Sequence, residues 1–393
     1  MSMAPSYPRL APAFREALIG AAQRFPTPFY AYDWPTIEAR LERLRRAFPE
    51  AEIFYALKAN PRLGLLRRFR ERDLGAEAVS LGEVYRAYRA GFRPEQVLLN
   101  GPLKTPSLLE ALQRWGVPIL GLDSLLEVRR VGQALPGAQV LLRVNPDLPV
   151  TTHHHLATGQ GESKFGLLPE DLEAALLEAR QRGLEVLGLH LHLGSALERL
   201  EDFEAGYALM DQLYRSYGPF AVMNLGGGFG LGLALEALGP AATTLARRHQ
   251  ARLWLEPGRY LVAEAGVLVA RCYGVKHTRR SYLLLDAGMS HLIRPMLYGA
   301  AHPVEPLYES PQKGVYDLAG PACEAGDVLA RDVPLPEPKE GDLLAILLAG
   351  AYGSSMSSNY LDTPRPLELL WTGEGLEVLR QAQSLEALLA EEG

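Results

Sequence analysis

Residues 53–60 read IFYALKAN, an apolar, β-prone run that ends in a lysine. Seven more short apolar runs follow before residue 256, most of them separated by segments in which apolar residues recur at helical spacing. The eight predicted strands cover residues 53–57, 76–79, 97–99, 118–122, 140–144, 186–193, 221–225 and 252–255. Eight buried strands that alternate with helices predict an α/β fold, a (β/α)8 barrel.

A polar residue or a glycine ends each predicted strand. In order along the chain these residues are Lys58, Glu77, Asn100, Asp123, Asn145, His192, Gly226 and Glu256. The chemistry of such barrels sits at the carboxyl ends of their strands. The pattern therefore predicts that these side chains surround one active site.

The sequence changes character after Arg259. Shorter β-type runs, separated by glycine and proline turns, cover residues 267–275, 282–286, 315–318, 327–330 and 343–348, and a final helix is predicted at 384–392. They predict a second, mostly antiparallel β domain, with 334–338 as a loop. We place the barrel at residues 30–265 and assign residues 1–29 and 266–393 to the β domain.

Composition excludes several classes of protein. The 393 residues are 48% hydrophobic and 22% charged, with a formal net charge of −6 and no block of like charge. Nothing indicates a nucleic-acid or membrane surface. Two cysteines cannot form a disulfide framework, and the first residues contain no secretory leader, so a cytoplasmic location is expected.

Lys58 is the first candidate for chemistry. The chain has six lysines among 40 basic residues, so 34 are arginines. A lysine amine, unlike a guanidinium, can lose its proton in a desolvated site and form a Schiff base with a carbonyl. Lys58 is therefore a candidate anchor for pyridoxal 5'-phosphate (PLP). The alternative is a lysine that merely extends from a strand end into solvent.

Two further motifs follow predicted strands. Residues 224–230 read NLGGGFG, and three adjacent glycines let backbone N–H groups approach a phosphate, although a tight strand-to-helix turn needs the same residues. Residues 256–259 read EPGR. A carboxylate such as Glu256 keeps a pyridine ring protonated, and Arg259 can bind a phosphate or carboxylate. A simple Glu–Arg ion pair is the alternative.

Histidines and a cysteine complete the candidate set. His190 and His192 share one face of a strand, but two ligands without a nearby third make a poor zinc site. His192 stacked on a flat cofactor, with Ser195 near its phosphate, uses the same geometry. The run 153–155 (HHH) also lacks further ligands, so no metal is predicted. Cys323 and Glu324 lie on a loop, where a thiol can donate a proton, although most cysteines are buried apolar residues.

Nine motifs, taken together, resemble one enzyme family. They are YALKAN (55–60), RVNPD (143–147), HHHLATGQGESKFG (153–166), GLHLHLGS (188–195), NLGGGFG (224–230), EPGR (256–259), DAGMSHLIRPMLYGAAH (286–302), GPACEAGD (320–327) and GAYGSSMSSNY (350–360). In this order they resemble the PLP-dependent amino-acid decarboxylases of the alanine-racemase fold type, and among them those that convert meso-2,6-diaminopimelate to L-lysine and CO2.

The resemblance implies a role for each matching position. Lys58 corresponds to the lysine that binds PLP covalently, His192 to the residue stacked on its ring, and Glu256 to the partner of the pyridine nitrogen. The implied phosphate-binding residues are Ser195, Gly226, Gly227, Gly228 and Tyr352. The residues implied to hold the distal carboxylate of the substrate are Arg259, Arg294 and Tyr298. In such homodimers the partner subunit supplies the equivalents of Cys323, a proton donor, and Glu324, which binds the substrate ammonium.

The sequence departs from the family pattern at three positions, and alternative functions stay open. Ala196 replaces a usual glutamine, Glu77 a usual aspartate, and Ala301 a common aromatic residue. Decarboxylation of ornithine, arginine or carboxynorspermidine is the alternative within enzymes. Arg294 argues against ornithine and arginine, because it would repel their cationic far ends. A racemase would need a second base, for which we see no candidate. A PLP carrier or an inactive regulatory homologue is the non-enzymatic alternative.

Overall fold

The computed structural model describes residues 9–148 and 163–392. The chain forms two compact units. We call Arg40–Tyr260 the barrel unit, and Met1–Ala39 together with Leu261–Gly393 the sheet unit.

Seventeen strands and twelve helices are numbered here along the described chain. The strands are β1 (Phe29–Asp33), β2 (Glu52–Ala56), β3 (Gly75–Ala78), β4 (Val97–Leu99), β5 (Ile119–Leu122), β6 (Gln139–Val144), β7 (Glu185–Leu191), β8 (Val222–Asn224), β9 (Arg252–Leu255), β10 (Gly266–His277), β11 (Ser281–Leu285), β12 (Val304–Pro306), β13 (Lys313–Ala319), β14 (Val328–Pro336), β15 (Leu343–Ile346), β16 (Leu367–Trp371) and β17 (Leu376–Arg380). The helices are α1 (Pro12–Arg24), α2 (Trp34–Ala47), α3 (Leu63–Arg70), α4 (Leu81–Arg89), α5 (Pro106–Trp115), α6 (Leu125–Ala134), α7 (Leu172–Gln181), α8 (Leu200–Tyr217), α9 (Leu235–Arg248), α10 (Arg259–Val262), α11 (Arg294–Tyr298) and α12 (Leu385–Leu388).

The barrel predicted from the sequence is confirmed. Strands β2 to β9 form a closed barrel in which each strand is parallel to its neighbours, and β2 pairs with β9 to close it. The predicted strand limits differ from the observed ones by at most two residues. One apolar cluster fills part of the interior, with Phe54, Leu98, Ile119, Leu141, Leu187, Val222 and Trp254 all buried.

Three helices that follow barrel strands begin at side-chain N-caps supplied by the sequence. Ser80, Thr105 and Ser124 each accept a hydrogen bond from the backbone N–H three residues later, at the starts of α4, α5 and α6. These side chains satisfy donors that a helix start leaves unpaired. The caps fix the points at which the chain turns away from the barrel rim.

The sheet unit contains a second, mostly antiparallel β structure, as predicted. Its strand order is β14-β13-β11-β10-β1-β16-β17, with β15 paired to β10 and β12. Only the β1–β16 and β11–β13 pairs are parallel. The sequence analysis did not predict β1, β12, β16 or β17. Its loop at 334–338 was partly wrong, because β14 continues to Pro336, and the last helix is the short α12.

Helix α1 contributes to the core of the sheet unit. Phe14, Leu18 and Ala21 on one face of α1 are buried in a cluster with Val267 of β10 and Leu369 of β16. The helix has proline at its first position, where a missing N–H costs nothing. The segment before the barrel is therefore part of a folded core.

Among the described residues, no helix combines the length and the apolar composition needed to cross a lipid bilayer.

Replacement of Leu18 tests the contribution of α1 to stability. Leu18 is fully buried, so Leu18→Ala should lower the free energy of unfolding by about 2–5 kcal/mol through lost burial and a residual cavity. The matched control is Glu16→Ala on the exposed face of the same helix, with an expected change within about 0.5 kcal/mol. Denaturant unfolding of both variants measures the difference, and equal effects would contradict the packing of α1.

Candidate active site

The carboxyl ends of the barrel strands surround one cavity of about 390 Å³. Five of the eight predicted strand-end residues line it, namely Lys58, Glu77, Asn100, His192 and Glu256. Arg143, Phe165 and His190 also contribute to its wall. The predicted grouping of polar strand ends is therefore present in the barrel unit.

Lys58 lies on a short 3-10 turn immediately after β2. Its Nζ forms an ion pair with Glu77 Oε2, and the carboxylate is only 1% exposed while the lysine side chain is 36% exposed. Burial raises the pKa of Glu77, the neighbouring Lys58 opposes that shift, and Glu256 adds to it. The amine is thus held at the cavity wall by a buried acid. The shorter side chain of an aspartate at position 77 would reach this amine less easily.

Glu256, directly after β9, is buried and held by two amides. Asn224 Nδ2 donates to Glu256 Oε1 at 2.6 Å, and Asn100 Nδ2 donates to Glu256 Oε2 at 3.0 Å. Burial raises the pKa of Glu256, whereas Lys58 and the two amides lower it. Because an amide N–H can only donate a hydrogen bond, both amides favour the charged, accepting form of Glu256. The sequence analysis gave Asn224 no role; its only signal was a polar residue at the end of a buried strand.

The histidine pair has the nearby carboxylate that the sequence analysis considered missing. His190 Nε2 lies 3.4 Å from Glu256 Oε1, and potential ligand atoms of His190, His192 and Glu256 lie within 4.8 Å of one another. The expectation that no third ligand lies nearby was therefore wrong, because the closed barrel brings the carboxyl ends of β7 and β9 close together, with β8 between the two strands. That no metal binds stays a prediction, and the run 153–155 falls outside the described residues.

Both histidines of the pair favour the neutral form. Burial is the main cause that lowers the pKa of His190 and of His192, and the positive charges of Arg143 and Lys58 lower each further. With lowered pKa values, the flat imidazole rings of both residues are uncharged at neutral pH. This suits His192 for contact with an aromatic ring and excludes it as a strong cationic partner.

The three glycines after β8 are required by close backbone packing. A Cβ on Gly226 would lie 2.3 Å from the carbonyl oxygen of Leu191, one on Gly227 2.1 Å from that of Glu256, and one on Gly228 2.3 Å from that of Gly194. Gly226 and Gly228 also have positive φ angles of 66° and 86°. The tight turn that the sequence left as an alternative is therefore real.

The backbone N–H groups of this turn are partly used within the protein. Gly226 donates to Asn224 Oδ1 at 2.8 Å, and Gly227 donates to His192 Nδ1 at 3.4 Å. A phosphate bound here must either use other donors or displace these bonds. The phosphate role of the three glycines consequently stays a prediction.

Arg259 and Ser195 lie together in the barrel unit. Arg259 Nη2 donates to Ser195 Oγ at 3.3 Å. Both were candidates for an anionic group, Ser195 for the phosphate and Arg259 for a substrate carboxylate. A guanidinium next to a hydroxyl provides several donors for one anion.

The remaining candidates belong to the sheet unit. Arg294 Nη1 lies 3.2 Å from His302 Nε2, and Tyr298 is the last residue of the same short helix, α11. Tyr352 has a positive φ of 57°, a conformation that is uncommon for a residue other than glycine. Such strain often accompanies functional positions.

Cys323 and Glu324 lie on a loop that a buried aspartate holds. Asp327 accepts hydrogen bonds from the backbone N–H groups of Met289, at 2.6 Å, and Ala322, at 2.8 Å. Cys323 is exposed, so the buried apolar cysteine considered from the sequence is excluded. Glu324 accepts a hydrogen bond from the hydroxyl of Tyr360.

The family comparison and the sequence comparison indicate the same kind of protein. Residues 35–263 match the family described as "Pyridoxal-dependent decarboxylase, pyridoxal binding domain". The chain is 50% identical to the diaminopimelate decarboxylase of Deinococcus radiodurans over 96% of this chain and 99% of that protein.

Two solved structures extend the comparison. A diaminopimelate decarboxylase from Helicobacter pylori complexed with L-lysine has a TM-score of 0.90 and 31% identity, covering 95% of this chain and 99% of that one. A structure of an SrLDC mutant in complex with PLP has a TM-score of 0.82 and 26% identity, covering 93% of this chain and 96% of that one.

Gly227→Ala tests the packing of the glycine turn. Gly227 lacks a positive φ, so the added methyl acts only through its contact with the carbonyl of Glu256. We expect a loss of about 1–3 kcal/mol in unfolding free energy, typical of overpacking. In the matched variant Gly232→Ala, the nearest atom is the flexible carboxylate of Glu198 at 3.4 Å, so little change is expected. Denaturant unfolding compares the two, and an equally stable Gly227→Ala protein would contradict the observed packing.

Proposed function

This chain belongs to the pyridoxal-dependent decarboxylases, and we propose that it converts meso-2,6-diaminopimelate to L-lysine and CO2. The observation that carries the proposal is the cavity in which the amine of Lys58 and the buried carboxylates of Glu77 and Glu256 meet. The substrate assignment is supported by the name of the Deinococcus radiodurans relative and by the L-lysine complex of the Helicobacter pylori protein.

PLP is the proposed cofactor, and the donor set of the cavity fits it. Lys58 offers an amine for the aldehyde, Glu256 a buried carboxylate for the ring nitrogen, and His192 a neutral ring for stacking. Ser195, the three glycines from Gly226 to Gly228, and Tyr352 would hold the phosphate. When bound, PLP draws into its ring the electron pair that departing CO2 leaves behind.

The residues of the chain supply the electrostatics of this reaction. The amides of Asn100 and Asn224 favour the charged form of Glu256, which can then keep a ring nitrogen protonated. Glu77 forms an ion pair with the amine of Lys58 and holds it at the cavity wall. Because both carboxylates are buried, solvent screens these interactions little.

Substrate recognition is assigned to the residues that match the family motifs. Arg259, Arg294 and Tyr298 would bind the distal carboxylate, and Glu324 the ammonium at the far stereocentre. Cys323 would donate the proton that replaces CO2. The exposure of Cys323 is consistent with a thiol that a neighbouring subunit presents, so a homodimer with shared active sites is part of the proposal.

Alternative substrates differ at their far end. Ornithine and arginine carry a cation there, which Arg294 would repel, whereas diaminopimelate carries a carboxylate as well as an ammonium. Carboxynorspermidine remains an alternative within the same chemistry. A PLP carrier would not need the second domain with Cys323 and Glu324, and an inactive homologue would be expected to have lost Lys58 or the glycine turn, both of which are present.

A substrate panel tests the reaction. Purified protein should release CO2 from meso-diaminopimelate, with a kcat/KM at least about 100-fold above that for ornithine, arginine or carboxynorspermidine, as one misplaced buried charge costs several kcal/mol. Lys58→Arg is the control: it retains the charge beside Glu77 but cannot form the covalent link, so both turnover and the visible absorbance of bound PLP should vanish. Turnover by Lys58→Arg would refute the assignment of Lys58.

Mixing two inactive variants tests the shared site. Lys58→Ala and Cys323→Ala proteins should each have little activity alone. After unfolding and refolding together at equal amounts, about a quarter of the sites should pair an intact Lys58 with an intact Cys323, and about a quarter of wild-type activity should return. Each variant refolded alone is the control. If the mixture stays inactive although wild-type protein refolds, the two residues act within one chain.

A further inference from the structure

Asn100 contacts both buried acids of the cavity with one amide group. It is the first residue after β4 and is 6% exposed. Its Nδ2 donates to Glu77 Oε1 at 3.2 Å and to Glu256 Oε2 at 3.0 Å. An amide nitrogen carries two hydrogens, so each carboxylate receives one. No other described side chain has hydrogen bonds to both of these acids.

Asn224 provides a natural comparison. Its Nδ2 donates to Glu256 Oε1 at 2.6 Å, and its Oδ1 accepts from the backbone of Gly226. Both asparagines are therefore buried amides that stabilise the charged form of Glu256. Only Asn100 also reaches Glu77, the ion-pair partner of Lys58.

The neighbouring strand leaves room for Asn100 only because it carries a glycine. A Cβ on Gly121 of β5 would lie 2.1 Å from Asn100 Oδ1 and 3.2 Å from its Cγ. Gly121 has no positive φ, so its backbone would accept alanine. The small residue at this position is explained by the space that the Asn100 amide occupies.

We propose that Asn100 is a positioning residue that holds Glu77 and Glu256 as one hydrogen-bonded unit, and so couples the Lys58 end of the cofactor site to its ring-nitrogen end. The inference rests on the proposed function. Two carboxylates at the same cavity repel each other, and a shared donor between them offsets part of that repulsion. Burial raises the pKa of both acids, in agreement with their need for such a donor.

Other charged or titratable groups also act on this unit. Those that face Glu77 or Glu256 are Lys58 after β2, Glu83 of α4, Arg143 of β6, and His190 of β7. None of these changes in a variant of Asn100 or Asn224. Apart from the shared bond to Glu256, Asn100→Ala loses the contact to Glu77 and Asn224→Ala loses the bond from the Gly226 N–H, so only the first variant removes a partner of the acid beside Lys58.

Asn100→Ala and Asn224→Ala, each as PLP-bound full-length protein, separate the two roles. Loss of either amide raises the pKa of Glu256, so the acid limb of the kcat profile should move up by about one pH unit in both variants. The pH midpoint at which the visible absorbance of bound PLP changes should move by about one unit in Asn100→Ala. It should move by less than about 0.3 unit in Asn224→Ala, because Asn224 does not touch Glu77.

Gly121→Ala provides a second, independent route to the same effect. Its methyl would displace the Asn100 amide, so the single variant should reproduce the absorbance shift of Asn100→Ala. In the double variant the clash is absent, and Gly121→Ala should add nothing to the effect of Asn100→Ala. Melting temperatures of all variants show whether any of them is merely unfolded.

The outcomes distinguish this inference from the proposed function. Wild-type protein without the PLP absorbance would overturn both. Wild-type protein with the absorbance, but with equal midpoints in Asn100→Ala and Asn224→Ala, would overturn the coupling role alone. Additive effects of Gly121→Ala and Asn100→Ala, or lowered melting temperatures with unchanged pH profiles, would also reduce Asn100 to a structural residue.

Discussion

The constraint on which the site depends is the burial of two carboxylates, Glu77 and Glu256, at the rim of one barrel. A buried charge without partners costs several kcal/mol, so such groups persist only where donors meet them. Here a lysine meets the first, an asparagine meets both, and a second asparagine meets the other. This network gives each buried acid ion-pair or hydrogen-bond partners that favour its charged form against the cost of burial.

The glycine turn after β8 shows how fold and function share one requirement. Its glycines are needed because the chain passes within contact distance of the carbonyl groups that end β7 and follow β9. The same closeness lets the turn donate to Asn224 and His192, two residues of the cavity region. A glycine-rich motif at this point is consequently explained by packing before any phosphate is considered.

Local pattern and long-range contact account for what the sequence could and could not reveal. Buried parallel strands consist almost entirely of apolar residues. The eight barrel strands, and the polar residues at their ends, could therefore be recognised in the sequence. Strand β1 was missed because its partners, β10 and β16, lie more than 200 residues away. Glu368 in β16, for which the sequence analysis made no prediction, is fully buried and accepts hydrogen bonds from the hydroxyls of Tyr32 and Ser354.

The same reasoning explains the limits at the site itself. Lys58, His192 and Glu256 could be predicted from the sequence because each residue type has a distinctive chemistry at a strand end. The contact between His190 and Glu256, and the double role of Asn100, arise only when the barrel closes and brings the carboxyl ends of its strands together. An asparagine has many uses in a sequence, and only its neighbours in space select among them. Of the proposed site residues, Lys58, His192 and Glu256 belong to the barrel unit, whereas Arg294, Tyr298 and Glu324 belong to the sheet unit. The sheet-unit residues lie on loops and a short helix without the strand-end pattern of the barrel, so their proposed roles came from the family resemblance and not from the local sequence.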